Sequence, residues 1–483
     1  MNKKCNLKKV LIVGSWAKEQ ITIENISRNP EIEIFSYMDI RNPGIISLVK
    51  DYHIGSLYDI DSIIKYAQDK KIDLVIITTA SPLSRGLVDK LEDIGILAFG
   101  PNLLAARLES DKEFARKLLQ KYMPSAIPKF KVFDNYQDAI QFSERLGWQV
   151  AVKPIGLTEG LGVKIFGDHL KDENDVKDYI QHIINKQVSG SSRVIIEEKI
   201  EGEEFTIQCF VHKEHILPTP AVQDFKRLLP GEKGPNTASM GSYSQKGYLL
   251  PFMEEEDYRN AMEIISTTLE GFQEETGNTC SGFLYGQFML TAEGVKLIEY
   301  NFRPGDPEWL NTIFILKNNI LDIILDLLEE GEGYKKDNKV QEGQGERQEG
   351  QGERQEKEGQ EKDKLSLFFD NCATVCKYIV PPNYPEKFDQ ILDVILEDDA
   401  IRKIKDLRYY YSCGFDDTGR LNVGTERGIA FIAKAPTIED ANDKVEKAIS
   451  IVNGEFFYRK DIGTTDLIES KINHIKVLKR LRE

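Results

Sequence analysis

Apolar positions along this chain follow two alternating rhythms. Short runs rich in apolar residues at Val10–Gly14, Ile32–Tyr37, Leu74–Thr78 and Leu97–Gly100 have the length and make-up of strands. Between them, Ser62–Lys70 and Gly86–Ile94 repeat apolar residues every three or four positions, as helices do. Strand and helix in turn predict an α/β, doubly wound parallel sheet over residues 1–105. A helix over Asp111–Tyr122 opens a second α/β block that runs to about 330. The pattern then stops. Residues 335–364 carry Q-E-G-Q-G-E-R twice in tandem (341–347 and 348–354), with glycines at 343, 345, 350, 352 and 359. Almost nothing apolar is left to offset the entropy of ordering, which predicts a disordered low-complexity insertion whose deletion leaves stability nearly unaltered. Periodicity resumes with a strand at Cys372–Val380 and a helix at Ile438–Ile451, a small α+β domain within 365–483.

Composition narrows the function class. At 483 residues the chain has room for several domains. Its 79 acidic side chains exceed 63 basic ones, for a net charge of −16, which argues against coating nucleic acid or an anionic membrane. No 18-residue apolar run offers a membrane span. The basic start Met1–Lys9 precedes too short an apolar stretch for a secretory signal. Six cysteines at no metal or redox spacing predict free, mostly buried thiols in a cytoplasmic protein. His212 and His215, flanking a K-E turn, read as solvated. Oligomeric state has no signature in the sequence.

Candidate chemistry concentrates at 297–308, L-I-E-Y-N-F-R-P-G-D-P-E. Glu299 and Asn301, two apart on a strand, point to one face. Oxygen donors on one face, next to a turn with Arg303 and Asp306, suit Mg²⁺, which completes its shell with water and phosphate oxygens. Gln287, the polar exception in F-L-Y-G-Q-F-M-L, would join them if its strand pairs with that of Glu299; the alternative is a core glutamine bonded to backbone. Lys153 ends a strand before the loop Gly156, Gly160, Gly162, which could fold over a polyphosphate, or be an ordinary turn. It is neither a Walker A loop nor a dinucleotide fingerprint. Lys112, at a helix start, offers a second point charge for phosphate. Glu197, Glu198 and Glu204 sit at a strand end able to offer backbone groups to adenine and a carboxylate to ribose; the plain alternative is a solvated acidic turn. The long polar stretch 223–241 groups Asp224, Lys226, Arg227, Asn236 and Thr237, a set that suits an anionic substrate.

In this order, Lys112, Lys153 with its glycine loop, the acids of 197–204, Gln287, Glu299 and Asn301 resemble the ATP-grasp ligases, and among these the phosphoribosylamine–glycine ligases. The matching motifs are F-G-P at 99–101, L-E-x-x-K at 108–112, G-E-E-F at 202–205, Q-D-x-K-R at 223–227, G-P-N-T-x-x-M-G-x-Y-S at 234–244, R-x-G-D-P-E at 303–308 and Y-R-K-D-I-G at 458–463. The resemblance spans nearly the whole chain outside 335–364. It implies an ATP-grasp domain over 106–330 with a small lid subdomain near 123–195, and amide formation between glycine and 5-phosphoribosylamine in purine synthesis. Mg²⁺ or Mn²⁺ would be held by Gln287, Glu299 and Asn301. Lys112, Lys153, the glycine loop, Glu197, Glu198 and Glu204 would bind ATP. The 223–241 stretch, with Arg303 and Asp306, would hold the two substrates.

Some motifs depart from that pattern. The family's G-x-G-G-R-E-H is here Gly14-Ser15-Trp16-Ala17-Lys18-Glu19-Gln20, G-P-E-A-P-L is Thr78-Thr79-Ala80-Ser81-Pro82-Leu83, the lid's G-K-G is Gly160-Leu161-Gly162, and G-G-M-G is Ala238-Ser239-Met240-Gly241. The changes fall mainly on the amine side. Three readings fit: an active ligase of this kind, an ATP-grasp ligase with another amine substrate, or a nucleotide-binding paralogue without turnover. The retained metal and phosphate residues favour the first.

Overall fold

Four consecutive apolar residues, Val10 to Val13, are fully buried because their strand is covered on both faces and paired on both edges. In the computed structural model, which describes residues 7–156, 162–188, 191–329, 365–385, 390–423 and 427–481, this strand, β1 (Lys9–Val13), is central. Around it stand β2 (Glu33–Met38), β3 (Asp51–Ile54), β4 (Leu74–Ile77) and β5 (Leu97–Phe99), in the order β3-β2-β1-β4-β5 and all parallel. The expected doubly wound sheet is therefore present. The expectations placed on 335–364 and on Gly160 and Leu161 lie outside the described residues.

A four-stranded antiparallel sheet follows, β6 (Phe130–Phe133), β7 (Val150–Pro154), β8 (Lys164–Ile165) and β9 (Val194–Glu198), in the order β6-β9-β7-β8. The helices Tyr136–Arg145 and Glu173–Lys186 pack on it around a core of its own. A second antiparallel sheet contains β10 (Gly202–His212), β11 (His215–Pro218), β16 (Ser281–Thr291) and β17 (Gly294–Asn301), ordered β11-β10-β16-β17. Next to it an aromatic knot of Phe99, Phe210, Phe283 and Trp309, with Phe99–Phe283 and Phe283–Trp309 centroids both 5.0 Å apart, joins the N-terminal sheet to the central one. Trp309 Nε1 donates to Thr22 Oγ1 at 2.9 Å, so its one polar atom is satisfied.

The stretch 223–241 is mostly not loop. Its strands are β12 (Gln223–Asp224), β13 (Arg227–Leu229) and β14 (Lys233–Asn236), with β15 (Gly241–Ser244) after it. β13 and β14 form a hairpin whose turn places Gly231 and Glu232 at positive φ. Glycine and proline content hid this pairing in the sequence. β12 and β15 then join β18 (Ala373–Ile379) and the strands Ile429–Ala435 and Leu407–Tyr411 in one antiparallel sheet. Segments on both sides of the insertion thus share a single sheet. The 22-residue helix Glu255–Thr276 and the helix Thr465–Arg480 complete the described elements that flank the centre. His215, read above as solvated, is buried, and His212 Nδ1 lies 3.1 Å from Ser281 Oγ. Cys209, Cys280, Cys376 and Cys413 are buried free thiols and Cys372 is half-buried.

Candidate functional site

A cleft of about 910 Å³ opens where the N-terminal sheet, the 130–198 lobe, the central sheet and the C-terminal domain meet. Strand register builds its floor. β16 pairs antiparallel with β17 so that Gln287 lies opposite Glu299 and Tyr285 opposite Asn301. Side chains alternate along a strand, so Gln287, Glu299 and Asn301 share the cleft face. The Gln287 amide donates to Glu204 Oε2, which leaves Oε1 as an acceptor. Asn301 Oδ1 lies 3.4 Å from an Arg303 guanidinium nitrogen. Glu299 has neither hydrogen bond nor ion pair among the described residues. Burial opposes its ionisation, but the charges of Lys226, Lys112, Lys153 and Arg303 win and hold its carboxyl below the usual range. An ionised, uncapped carboxylate with two amide oxygens beside it is a donor set for a hard divalent cation.

Cations ring this face. Lys112 begins the helix Lys112–Tyr122, capped by Asp111, whose side chain accepts from Phe114 N at 3.0 Å. Its Nζ donates to Gly156 O at 2.9 Å, and burial lowers its pKa. Lys226 lies 3.5 Å from Glu204; burial opposes its protonation, but Glu204 and Asp224 hold the ammonium charged. Arg303 lies 3.2 Å from Glu109, whose other oxygen accepts from Phe302 N at 2.9 Å. Lys153 is committed to Glu197 at 2.7 Å, and Arg116 pairs with the same carboxylate at 2.6 and 3.2 Å while donating to Ile298 O at 2.6 Å. This buried triad fastens β7, β9 and β17 to the helix Lys112–Tyr122. Burial would raise the Glu197 pKa, yet Arg116 and Lys153 hold it at about 2.

The wall opposite is acidic and short of partners. Asp224 Oδ1 and Asp306 Oδ2 are buried with no hydrogen-bond partner among the described residues. Burial pushes the Asp224 carboxyl up, and Glu308 adds to the shift. Glu308, at the start of the helix Glu308–Ile315, accepts from Tyr285 Oη at 2.8 Å and is also raised by burial. Asp306 accepts from Tyr378 Oη at 2.5 Å and pairs with Arg427 at 3.0 Å. Arg427 also donates to Ala238 O at 2.7 Å and Asp306 O at 2.8 Å, joining the C-terminal domain to the turns at 238 and 306.

Of the residues singled out from the sequence, Lys112, Lys153, Glu197, Asp224, Lys226, Asn236, Thr237, Gln287, Glu299, Asn301, Arg303 and Asp306 line the cleft. Glu204 borders it through Gln287 and Lys226. Three are placed elsewhere. Arg227 donates to Gly234 O within its hairpin at 3.0 Å, Glu198 accepts from Lys129 N at 2.8 Å, and Gly162 O accepts from Tyr179 Oη at 2.7 Å. Gly156 offers Lys112 its carbonyl, and Gly160 is outside the described residues. Lys18, Glu109 and Glu308 also line the cleft; each stood inside a motif quoted above without a role. Arg427 stood in none. Trp16 lines the cleft at the N-cap of the helix Ala17–Ile26, whereas Gln20 turns away and accepts from Tyr411 N at 2.9 Å.

Residues 8–109 match the family model described as "Phosphoribosylglycinamide synthetase, N domain", and residues 110–309 match "Phosphoribosylglycinamide synthetase, ATP-grasp (A) domain". The chain belongs to the phosphoribosylglycinamide synthetase family. A family relative named phosphoribosylamine–glycine ligase, from Methanopyrus kandleri, is 39% identical over 473 residues, 97% of this chain and 98% of that one. Among solved structures, the phosphoribosylamine–glycine ligase of Thermotoga maritima superposes with a TM-score of 0.72 at 20% identity, covering 94% of this chain and 100% of that one. A biotin carboxylase from Campylobacter jejuni, in a β-γ-ATP complex, superposes with a TM-score of 0.69 at 13% identity over 98% of this chain and 99% of that one. The phosphoribosylglycinamide synthetase family thus shares its ATP-grasp fold with carboxylases, and the chain has that fold.

Proposed function

We propose that this protein is the ADP-forming carbon–nitrogen ligase that joins glycine to 5-phosphoribosylamine in de novo purine synthesis, giving glycinamide ribonucleotide, ADP and phosphate. The observation that carries it is Glu299, an ionised carboxylate with no hydrogen-bond or ion-pair partner among the described residues, facing Gln287 and ringed by Lys112, Lys226 and Arg303 in one cleft. Gln287, Glu299 and Asn301 would hold Mg²⁺ or Mn²⁺, which neutralises polyphosphate charge when bound. Lys112 and Lys226 position the ATP phosphates by charge. A glycine carboxylate oxygen attacks the γ-phosphorus, the bond to the bridging oxygen breaks, and ADP leaves. The amine nitrogen of phosphoribosylamine then attacks the carbonyl carbon of glycyl phosphate, phosphate departs, and the nitrogen loses a proton. No side chain becomes a covalent carrier; the site works by positioning and by placing cations where charge develops.

Asp224 and Asp306 supply acceptor oxygens for the ammonium of glycine, and Arg303 a cation for its carboxylate. Asn236, Thr237 and Trp16 face the phosphoribosylamine end. No helix among the described residues is long and apolar enough to cross a membrane, and we place the enzyme in the cytoplasm. Purified protein with Mg·ATP, glycine and fresh phosphoribosylamine should release ADP only when both substrates are present, with glycinamide ribonucleotide formed. ATP binding without that dependence would sink the proposal. The second reading, a ligase for another amine, rests on Trp16 standing in the cleft where the family pattern has glycine. A screen of amines with glycine and ATP decides between the two.

A further inference from the structure

We propose a second binding site, for a small phosphorylated anion, in the groove where the helices Ala17–Ile26 and Glu308–Ile315 meet the C-terminal domain. The groove encloses about 460 Å³ and is separate from the cleft described above. Its floor is apolar, with Ile21, Ile313, Ile404 and Tyr410 all buried. Its rim is cationic. Arg28, Arg402, Lys405, Arg408 and Lys434 face only Glu24 and Asp406, in a chain whose net charge is −16. A local excess of positive charge against that background concentrates anions there.

Not all of these cations are available. Arg402 is paired with Asp398 at 2.8 Å and Lys434 with Asp370 at 2.6 Å. Asp406 is itself offset by Lys444 at 3.6 Å. Three remain. Lys405 makes no hydrogen bond or ion pair among the described residues. Arg408 donates one guanidinium N–H to Leu407 O at 2.8 Å, and its nearest carboxylate, Glu24, stands 3.9 Å away. Arg28 donates one guanidinium N–H to Leu316 O at 3.1 Å and pairs with no carboxylate among the described residues. Two guanidinium groups and an ammonium over an apolar floor fit the forked recognition of phosphate oxygens, with the organic part of the ligand packed on Ile404 and Tyr410.

The groove is connected to the cleft by rigid elements. The helix Ala17–Ile26 gives Lys18 to the cleft and Ile21, Glu24 and Asn25 to the groove. The helix Glu308–Ile315 gives Glu308 to the cleft and Ile313 and Phe314 to the groove. An anion seated in the groove draws Arg28, at one helix end, toward Lys405 and Arg408 of the C-terminal domain, and so biases the domain arrangement that forms the cleft.

The test is calorimetric titration of the full chain, its cleft filled with ADP, with inorganic pyrophosphate and separately with AMP. Lys405→Glu and Arg408→Glu are compared with Lys403→Glu, a neighbouring surface lysine outside the groove. Both groove residues are exposed, and unchanged melting temperatures check folding. Binding of either probe that weakens about ten-fold or more in each groove variant, and not in Lys403→Glu, is expected. Equal affinity in all four proteins, or binding of neither probe at millimolar concentration, overturns the site. Both outcomes are independent of which amine the cleft uses.

Discussion

Glu299 and Glu197 are both buried carboxylates held ionised by neighbouring cations, yet they do opposite work. Glu197 is spent on structure, between Arg116 and Lys153. Its folded pKa of about 2 lies below the usual 4.5. A depressed carboxyl pKa contributes stability that is fully present above about pH 4.5 and is lost as pH falls toward 2, here on the order of 3 kcal/mol. Acid unfolding of wild type should therefore steepen in that window, and Glu197→Gln should flatten it. The same variant leaves Arg116 and Lys153 buried without a counter-charge, so chemical denaturation at neutral pH should show a loss of about 3–5 kcal/mol. Glu299 has no such bonds to lose. Glu299→Ala should cut ligase turnover by at least about 100-fold while the chain still folds, as circular dichroism would check. Retained turnover would overturn the proposal that Glu299 holds the metal.

Pairs of strands, rather than single residues, decide what could be read in advance. Glu299 and Asn301 were legible because a two-residue spacing on a strand fixes a shared face, and Gln287 because one polar residue interrupts an apolar strand. The parallel N-terminal sheet was legible for the same reason, since β1 and β4 are continuous apolar runs. The hairpin of β13 and β14 was not, because glycine and proline mask its alternation and the side chain that anchors it lies far away in sequence. Arg459 is buried against it, donating to Arg227 O at 3.1 Å and pairing with Glu232 at 2.9 Å and Asp461 at 2.7 Å. Arg427 escaped notice likewise, since its contacts at Ala238 and Asp306 lie more than a hundred residues away. Arg459→Met should loosen the hairpin that carries Asn236. A stability loss of about 2 kcal/mol in denaturant titration is expected, together with a higher KM for the amine and little change in the KM for ATP.

At the level of the molecule, the cleft belongs to no single domain. Lys18 comes from the first sheet, Lys153 from the small lobe, Glu299 from the central sheet and Arg427 from the last domain. Divalent cation removal by EDTA should abolish turnover, since polyphosphate charge then lacks its counter-ion, and should leave the melting temperature where it was. A large drop would mean that the metal holds the domains together.

The sheet shared across the insertion sets the order in which the protein can be completed. Ser244 of β15 pairs with Thr374 of β18, 130 residues later. During synthesis the first two-thirds of the chain emerges with that edge of β15 open, a row of backbone donors and acceptors awaiting a partner still inside the ribosome. Expression of residues 1–330 alone would freeze the protein at this stage, so such a fragment is expected to aggregate where the full chain remains in solution.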